Sequence, residues 1–280
     1  MDEFLKKLRS RFPLSELTPV TSGGTNSVFY LKHNGIQSLI KVAMISNKNA
    51  ETELMCLSLL KDTGITPRLL QSFQIESKKV LQMEFIEGKT ILDSILTLRK
   101  ESRLEEIPSL FSSMGKFLAK LHAFPLHADL NRISLAIPQQ KRFIEHDLYQ
   151  CSIDYISNLN EHSKVLLHGD FGYHNIITGP TGRMTLIDWE LAGIGDPRID
   201  ISNVLFWTHL HFPDIALRCV SEFLTAYASE KNIDLSSSEL KAFIIIQIWR
   251  IIGLVNESFP NNVIKEWNRR LSWTLEHEFI

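Results

Sequence analysis

The spacing of hydrophobic positions divides the chain into a strand-rich beginning and a helix-rich remainder. Residues 1–8 form a charged amphipathic pattern that predicts a first helix, and a second helix fits 49–61. The turn His33-Asn34-Gly35 contains Asn-Gly, a strong signal for a tight hairpin. Four strand-like runs accompany these elements: 25–32, 36–44, about 69–75 and about 79–85.

After a break at Ile86-Glu87-Gly88, apolar residues recur at intervals of three and four, which is typical of amphipathic helices. One stretch, 165–188, interrupts this pattern with short apolar runs, polar residues and a Pro-Thr-Gly turn, and it predicts a small hairpin. We therefore predict an α+β fold with two lobes, a small β-rich lobe at 1–87 and a larger, mostly helical lobe at 88–280. The helices predicted in the second lobe are 104–124, 141–158, 215–229, 238–256 and 264–277.

Composition narrows the class of protein without identifying it. The 280 residues carry a formal charge of −2 and are 44% hydrophobic, as in ordinary globular proteins. This charge gives no field that would attract nucleic acid or an anionic membrane, and no apolar run reaches the ~18–20 residues that cross a bilayer. We expect neither partner. The cysteines Cys56, Cys151 and Cys219 are too far apart for a metal site, which predicts reduced, buried thiols and a cytoplasmic location.

The polar residues of the interrupted stretch point to phosphoryl transfer. His168-Gly169-Asp170 is followed by Asn175, five residues after the aspartate, and then by Asp188 at the end of an apolar run. Transfer from a magnesium-bound nucleotide needs a held metal, neutralised phosphates and a carboxylate that receives the acceptor's proton. Asp170 is the candidate base, and Asn175 and Asp188 offer the hard oxygen ligands that Mg²⁺ prefers.

This arrangement, HGD-x₄-N followed by Ile187-Asp188-Trp189, resembles the aminoglycoside phosphotransferase and choline kinase superfamily. That resemblance implies a protein-kinase-like fold, ATP and Mg²⁺ as cofactors, and a small hydroxylated molecule as the acceptor. The later Gly195-Asp196-Pro197 with Asp200 is similar to another stretch of the same family. There Asp200 is expected to brace the catalytic loop, and His168 to support the backbone rather than act as a base.

The N-terminal lobe supplies a candidate for phosphate binding. Alternation in the predicted strand places Lys41 on the face opposite Ile40 and Val42, where it is suited to contact the α- and β-phosphates. The alternative is an edge-strand lysine that blocks aggregation. A glutamate from the following helix should hold the lysine. Glu51 and Glu53 compete, and we favour Glu53 because it shares a helix face with apolar residues.

Five further positions follow from their place relative to the family pattern. The residues Gly24, Thr25 and Asn26 lie before the first hairpin, where backbone amides would contact phosphate. The break after the fourth strand resembles the family's hinge, where Glu84 and Ile86 would bind the adenine through their backbone.

The interpretation is therefore an ATP-dependent kinase of small hydroxylated molecules, with GTP left open as the donor. The acceptor is also left open between antibiotics, such as aminoglycosides or macrolides, and metabolites, such as amino alcohols or sugars. Two alternatives are a nucleotide-binding pseudokinase with a regulatory role and a protein kinase. The chain departs from the motifs of protein kinases, because it has HGD rather than HRD and Asp188-Trp189-Glu190 rather than DFG. Monomer and homodimer are both compatible with the sequence.

Overall fold

A computed structural model gives the fold, and packing divides the chain into two compact units. The sheet unit comprises residues 1–94 and 174–192, and the helical unit comprises 95–173 and 193–280. The division of function between 1–87 and 88–280 stays a prediction. The structure describes residues 2–13, 15–20, 26–43, 47–126, 130–133, 135, 138–157, 159, 164–231, 233, 235–255 and 259–280.

The sheet unit is built on a five-stranded antiparallel sheet with strand order β1-β2-β3-β5-β4. The predicted Asn-Gly hairpin is confirmed, since His33 pairs with Ile36 and both Asn34 and Gly35 have positive φ. The strands of the sheet are β1 (Glu16–Val20), β2 (Asn26–His33), β3 (Ile36–Ala43), β4 (Leu69–Ile75) and β5 (Lys78–Glu84).

Two helices and a small second sheet complete this unit. Helix α1 (Asp2–Arg11) buries one apolar face against the sheet, and α2 (Asn47–Leu59) follows β3. Residues 174–192 also belong to this unit, and within them Ile176–Thr178 pairs antiparallel with Met184–Leu186. This pairing confirms the hairpin predicted from the Pro-Thr-Gly turn. The strands of this small sheet are β6 (Lys89–Thr90), β8 (Ile176–Thr178) and β9 (Met184–Leu186). The core under α1 consists of Phe4, Leu8, Phe12, Phe29, Leu31, Ile40, Val42, Ile75 and Val80.

The helical unit packs most of the remaining helices around a core of its own. Its two short strands, β7 (Val165–Leu167) and β10 (Gly193–Gly195), pair antiparallel. Helices α4 (Ile107–His122) and α7 (Ala216–Glu230) lie so close that a Cβ at Gly115 would meet the carbonyl oxygen of Phe223, which explains the glycine in mid-helix. The helices from the inter-unit segment onward are α3 (Ile91–Lys100), α4 (Ile107–His122), α5 (His146–Ile156), α6 (Arg198–His211), α7 (Ala216–Glu230), α8 (Ser237–Leu254) and α9 (Asn261–Glu276).

The α+β class, with an antiparallel sheet first and helices after it, is confirmed, and two details of the sequence analysis need correction. Helices α3 and α6 were not among the predicted elements. Of the three free thiols, Cys56 and Cys219 are buried as predicted, but Cys151 is exposed. Among the described helices, none combines the length and the hydropathy that a membrane crossing requires.

Candidate functional site

Lys41 lies on the central strand of the sheet. Strand β3 pairs with β2 on one side, where Lys41 faces Val28, and with β5 on the other, where it faces Leu81. The neighbours Ile40 and Val42 are fully buried on the opposite face. A central strand has no free edge to protect, so the interpretation of Lys41 as an edge lysine is wrong.

The ammonium group of Lys41 is held by two carboxylates of the sheet unit. Its Nζ lies 2.7 Å from Oε2 of Glu53 on α2 and 2.5 Å from Oδ1 of Asp188. Glu51, the competing residue, is an exposed side chain 3.6 Å from Lys79. Burial disfavours the charge of Lys41, but the attraction of the two carboxylates outweighs it and raises the pKa of the lysine. The structure thus pairs Lys41 with Glu53, while its role in nucleotide binding stays a prediction.

Asp188 and Asn175 lie at the same end of the β8–β9 hairpin. Asn175 directly precedes β8, and its carbonyl oxygen accepts a hydrogen bond from the backbone N–H of Ile187 at 2.9 Å. Asp188 follows with φ of 68°, a left-handed conformation that residues other than glycine adopt infrequently. The buried indole of Trp189 donates to the carbonyl of Leu186 and so fixes the turn after the aspartate.

These two residues suit a magnesium ion shared with a nucleotide. Within the described part of the chain, no group of three or more His, Cys, Asp or Glu side chains could hold a metal. Mg²⁺, however, is usually bound by one or two carboxylates together with substrate phosphates and waters, rather than by a cage of protein ligands. The carboxylate of Asp188 is 39% exposed and the amide of Asn175 is buried, and both carry oxygen atoms of the kind such a site requires; their binding of Mg²⁺ stays a prediction.

Asp170 belongs to the helical unit and lies on a loop whose backbone is hydrogen-bonded to a second aspartate, Asp200. Asp200, fully buried near the start of α6, accepts the backbone N–H groups of His168 and Gly169, each at 2.8 Å. The ring of His122, also buried, contributes a third contact to Asp200 at 3.3 Å. A carboxylate only accepts, so Nε2 of His122 carries the hydrogen. The expectation that Asp200 braces this loop is confirmed, and His122 takes part in the same support.

A residue that the sequence analysis did not select, Asn203, contacts the predicted base directly. Its Nδ2 donates to Oδ1 of Asp170 at 3.3 Å and to the carbonyl of Phe171 at 2.9 Å. Its Oδ1 accepts from Nε1 of Trp207 at 3.1 Å and from Nε2 of Gln247 at 2.8 Å. Both hydrogens and both acceptor positions of the amide are therefore used, and this fixes its orientation. The available signal was an amide three residues after Asp200, directly before the apolar run 204–206.

The remaining predicted residues lie in the sheet unit and are placed only in part. Gly24 and Thr25 lie outside the described residues, and Asn26 is described as the first residue of β2, paired with Ala43. Glu84 ends β5, where its N–H donates to the carbonyl of Arg68 and its carboxylate accepts the N–H of Arg68.

Ile86 follows within the segment 85–87, which has no regular structure. Gly88 comes next with φ of 155°, and a Cβ there would collide with the carbonyl oxygen of Thr178, so the chain can leave the sheet at this point only with glycine. The contacts of Glu84 and Ile86 with a nucleotide base stay a prediction.

Comparison with known proteins agrees with the resemblance in the motifs. The profile of the phosphotransferase enzyme family (APH) matches residues 16–231, which is most of the chain. The LicA homolog of Metamycoplasma hominis is 25% identical over 206 residues, 70% of this chain and 74% of that protein.

Solved structures of the same fold cover nearly the whole chain. Choline kinase LicA from Streptococcus pneumoniae superposes with a TM-score of 0.69, at 17% identity and with 99% of each chain covered. A thermostable mutant of aminoglycoside phosphotransferase APH(4)-Ia, in ternary complex with ADP and hygromycin B, gives 0.70 at 16% identity, with 97% of each chain covered. At these identities the structures establish the fold alone, and the family profile establishes the rest: the chain belongs to the phosphotransferase enzyme family and is a phosphotransferase.

Proposed function

We propose that the protein transfers the γ-phosphate of ATP to a hydroxyl group of a small molecule, with Asp170 as the catalytic base. The observation that carries the proposal is the contact of Lys41 with both Glu53 and Asp188. In kinases of this fold, a strand lysine paired with a helix glutamate contacts the phosphates, and an aspartate after a short strand holds the metal. The same three residue types occupy equivalent elements here.

In the proposed reaction, the acceptor oxygen attacks the γ-phosphorus while the bond to the oxygen bridging the β- and γ-phosphorus breaks, and ADP leaves. The hydroxyl proton moves to the carboxylate of Asp170, which Asn203 orients through a hydrogen bond from its Nδ2. Lys41 neutralises the α- and β-phosphates, and Asn175 and Asp188 would hold Mg²⁺. When bound, the metal would supply charge that stabilises the transferring group.

The other proposed contacts come from the backbone. Amides at Gly24, Thr25 and Asn26 would bind phosphate, and the main chain at Glu84 and Ile86 would bind the base. Main-chain contacts leave the choice between ATP and GTP open. Residues 1–87 would thus bind the nucleotide, and 88–280 would bind the acceptor. Three free thiols agree with a reducing compartment such as the cytoplasm, where ATP is available.

The relatives suggest two acceptor classes. One structural relative is a choline kinase, and another was solved in complex with ADP and hygromycin B. An amino alcohol or an aminoglycoside is therefore the first acceptor to test, beside sugars and macrolides.

The test is transfer of label from γ-labelled ATP, with Mg²⁺, to pooled small molecules with hydroxyl groups. The variant Asp170→Asn keeps the size of the side chain but cannot accept the proton, so we expect transfer to fall by at least about a hundredfold while nucleotide still binds. The exposed exchange Asp214→Asn, on a residue paired with Arg99, is the matched control. Equal transfer by wild type and Asp170→Asn would refute the role of Asp170. Tight nucleotide binding without transfer to any pool would favour a pseudokinase.

A further inference from the structure

Arg250 carries a charge for which the described part of the chain provides no ion-pair partner. It lies near the end of α8, half-buried between fully or largely buried isoleucines of the same helix. Its guanidinium makes one hydrogen bond there, from Nη1 to Oε1 of Gln247 at 3.0 Å. A guanidinium has five N–H donors, so most of the donors of Arg250 remain available to a ligand.

Another buried arginine of the helical unit shows how such a charge is ordinarily compensated. Arg198 contacts the carboxylate of Asp196 at 2.6 Å and that of Glu239 at 2.7 Å. Arg250 has only the more distant attraction of Asp200 and Asp170, and burial outweighs this attraction and lowers its pKa. Because an uncompensated charge away from water is costly, an anionic ligand would be bound favourably there.

A chain of hydrogen bonds places Arg250 on the side of the proposed base. Gln247 accepts from Arg250 and donates through Nε2 to Oδ1 of Asn203 at 2.8 Å. Asn203 in turn donates to Asp170 at 3.3 Å. Two side-chain amides therefore separate the guanidinium from the carboxylate that would receive the acceptor's proton. A molecule whose hydroxyl meets Asp170 can have a second group near Arg250.

We propose that Arg250 binds a carboxylate of the acceptor, so that the preferred substrates are hydroxylated carboxylic acids. This inference rests on the proposed function, and it names the class of acceptor. Arginine forms two parallel N–H···O bonds with a carboxylate, which gives both affinity and orientation. The same guanidinium repels cations, so polycationic acceptors should be poor substrates. The transferred phosphoryl group is the other anion that Arg250 could bind. The experiment distinguishes binding of the acceptor carboxylate from binding of the phosphoryl group.

The experiment uses pairs of acceptors that share a hydroxyl group and differ in the carboxylate: glycerate and glycerol, gluconate and sorbitol, and pantothenate and panthenol. For at least one pair, we expect kcat/KM of the wild type to favour the acid by about tenfold to a hundredfold, the effect of a charge-assisted hydrogen bond. Arg250→Gln should raise KM for the acid until this preference is lost, and should leave the neutral partner unchanged. Arg250→Lys, which keeps the charge without the planar fork, should be intermediate.

The control is Arg269→Gln, an exposed arginine on α9 that pairs with Glu266. A second readout is the rise in Tm that each acid and its neutral partner produce in each variant, which needs no turnover. If no acid is preferred in either readout, or if Arg250→Gln keeps the preference, the inference is wrong.

Three further outcomes separate the inference from its alternatives. A fall in kcat for all acceptors alike, with KM unchanged, would assign Arg250 to the phosphoryl group and overturn the acceptor assignment. Efficient, Asp170-dependent transfer to aminoglycosides or amino alcohols by the wild type, with no preference for an acid, would overturn the inference while upholding the proposed function. Absence of Asp170-dependent transfer to every compound would instead refute the proposed function, and the acid-dependent rise in Tm would still report on Arg250.

Discussion

Replacing Asp200 by asparagine should both destabilise the protein and slow the reaction, because the two oxygens of this buried side chain are committed to donors. Oδ1 accepts the N–H of Gly169, and Oδ2 accepts the N–H of His168 and Nε2 of His122. An amide has one oxygen and one NH₂ group. Its better orientation keeps the oxygen toward His168 and His122 and turns the NH₂ toward the N–H of Gly169.

The loss can be worked from that orientation. One hydrogen bond to a charged group disappears, about 1.5–3 kcal/mol, and a buried N–H is left without an acceptor, about 1–3 kcal/mol. The combined effect on the free energy of unfolding is roughly 2.5–6 kcal/mol, which corresponds to a fall in Tm of about 10 °C for a protein of this size. The unsupported N–H belongs to Gly169, next to Asp170, so the base should also move. A displacement of ~1 Å can reduce a rate about a hundredfold.

The assay combines thermal unfolding with steady-state kinetics at a temperature well below both midpoints, so that loss of fold and loss of rate are measured separately. We expect kcat to fall while KM for ATP changes little, since Asp200 contacts the catalytic loop rather than the residues proposed to bind nucleotide. The surface exchange Asp214→Asn should change Tm by no more than about 2–4 °C, because an exposed ion pair contributes at most about 1 kcal/mol. An Asp200→Asn protein with unchanged Tm and kcat would refute the view that this carboxylate holds the loop.

Two predictions concern other parts of the chain. Glu53→Gln removes the helix carboxylate that holds Lys41, so kcat/KM for ATP should fall at least about tenfold, whereas Glu51→Gln on the exposed face of α2 should not change it; equal effects would disprove the pairing. Burial, and next the charge of His277, lower the pKa of His209 to about 4. Between pH 6.5 and 4 the unfolded chain therefore binds the proton and the folded chain does not. The free energy of unfolding, measured by urea titration, should decrease by up to roughly 3 kcal/mol as the pH is lowered through this range. This pH dependence should be weaker in His209→Gln, and an unchanged slope would contradict the assignment.

The first hairpin and α6 show which secondary-structure elements could be predicted from the local sequence and which could not. The turn at Asn34-Gly35 fixes its own backbone through residues that tolerate positive φ, so the hairpin was predictable from two letters. Helix α6 gave no such signal, because it is buried on almost every side and has no polar face to create a period. A helix of this kind is specified by its surroundings rather than by its own pattern.

The same distinction separates the predictable residues of the site from the others. Lys41, Asp170, Asn175 and Asp188 could be proposed from the sequence because phosphate and metal chemistry demands particular residue types at particular spacings. The choice of Glu53 over Glu51 needed only the face of one helix. These inferences use local geometry, which a sequence contains.

Asn203 and Arg250 could not be found in that way, because what distinguishes them is the state of their partners. Each lies in a largely apolar helix beside another polar residue, Asp200 for Asn203 and Gln247 for Arg250, and the sequence gives neither of them special weight. In the structure, the four hydrogen-bonding positions of the Asn203 amide are all used, which leaves this residue no capacity for a ligand and suits it to orient Asp170. Arg250 has the opposite character, since its one described hydrogen bond leaves both charge and donors to spare. A saturated polar group positions its neighbours, whereas an uncompensated one selects a ligand, and on this ground the acceptor's chemistry should be sought at Arg250.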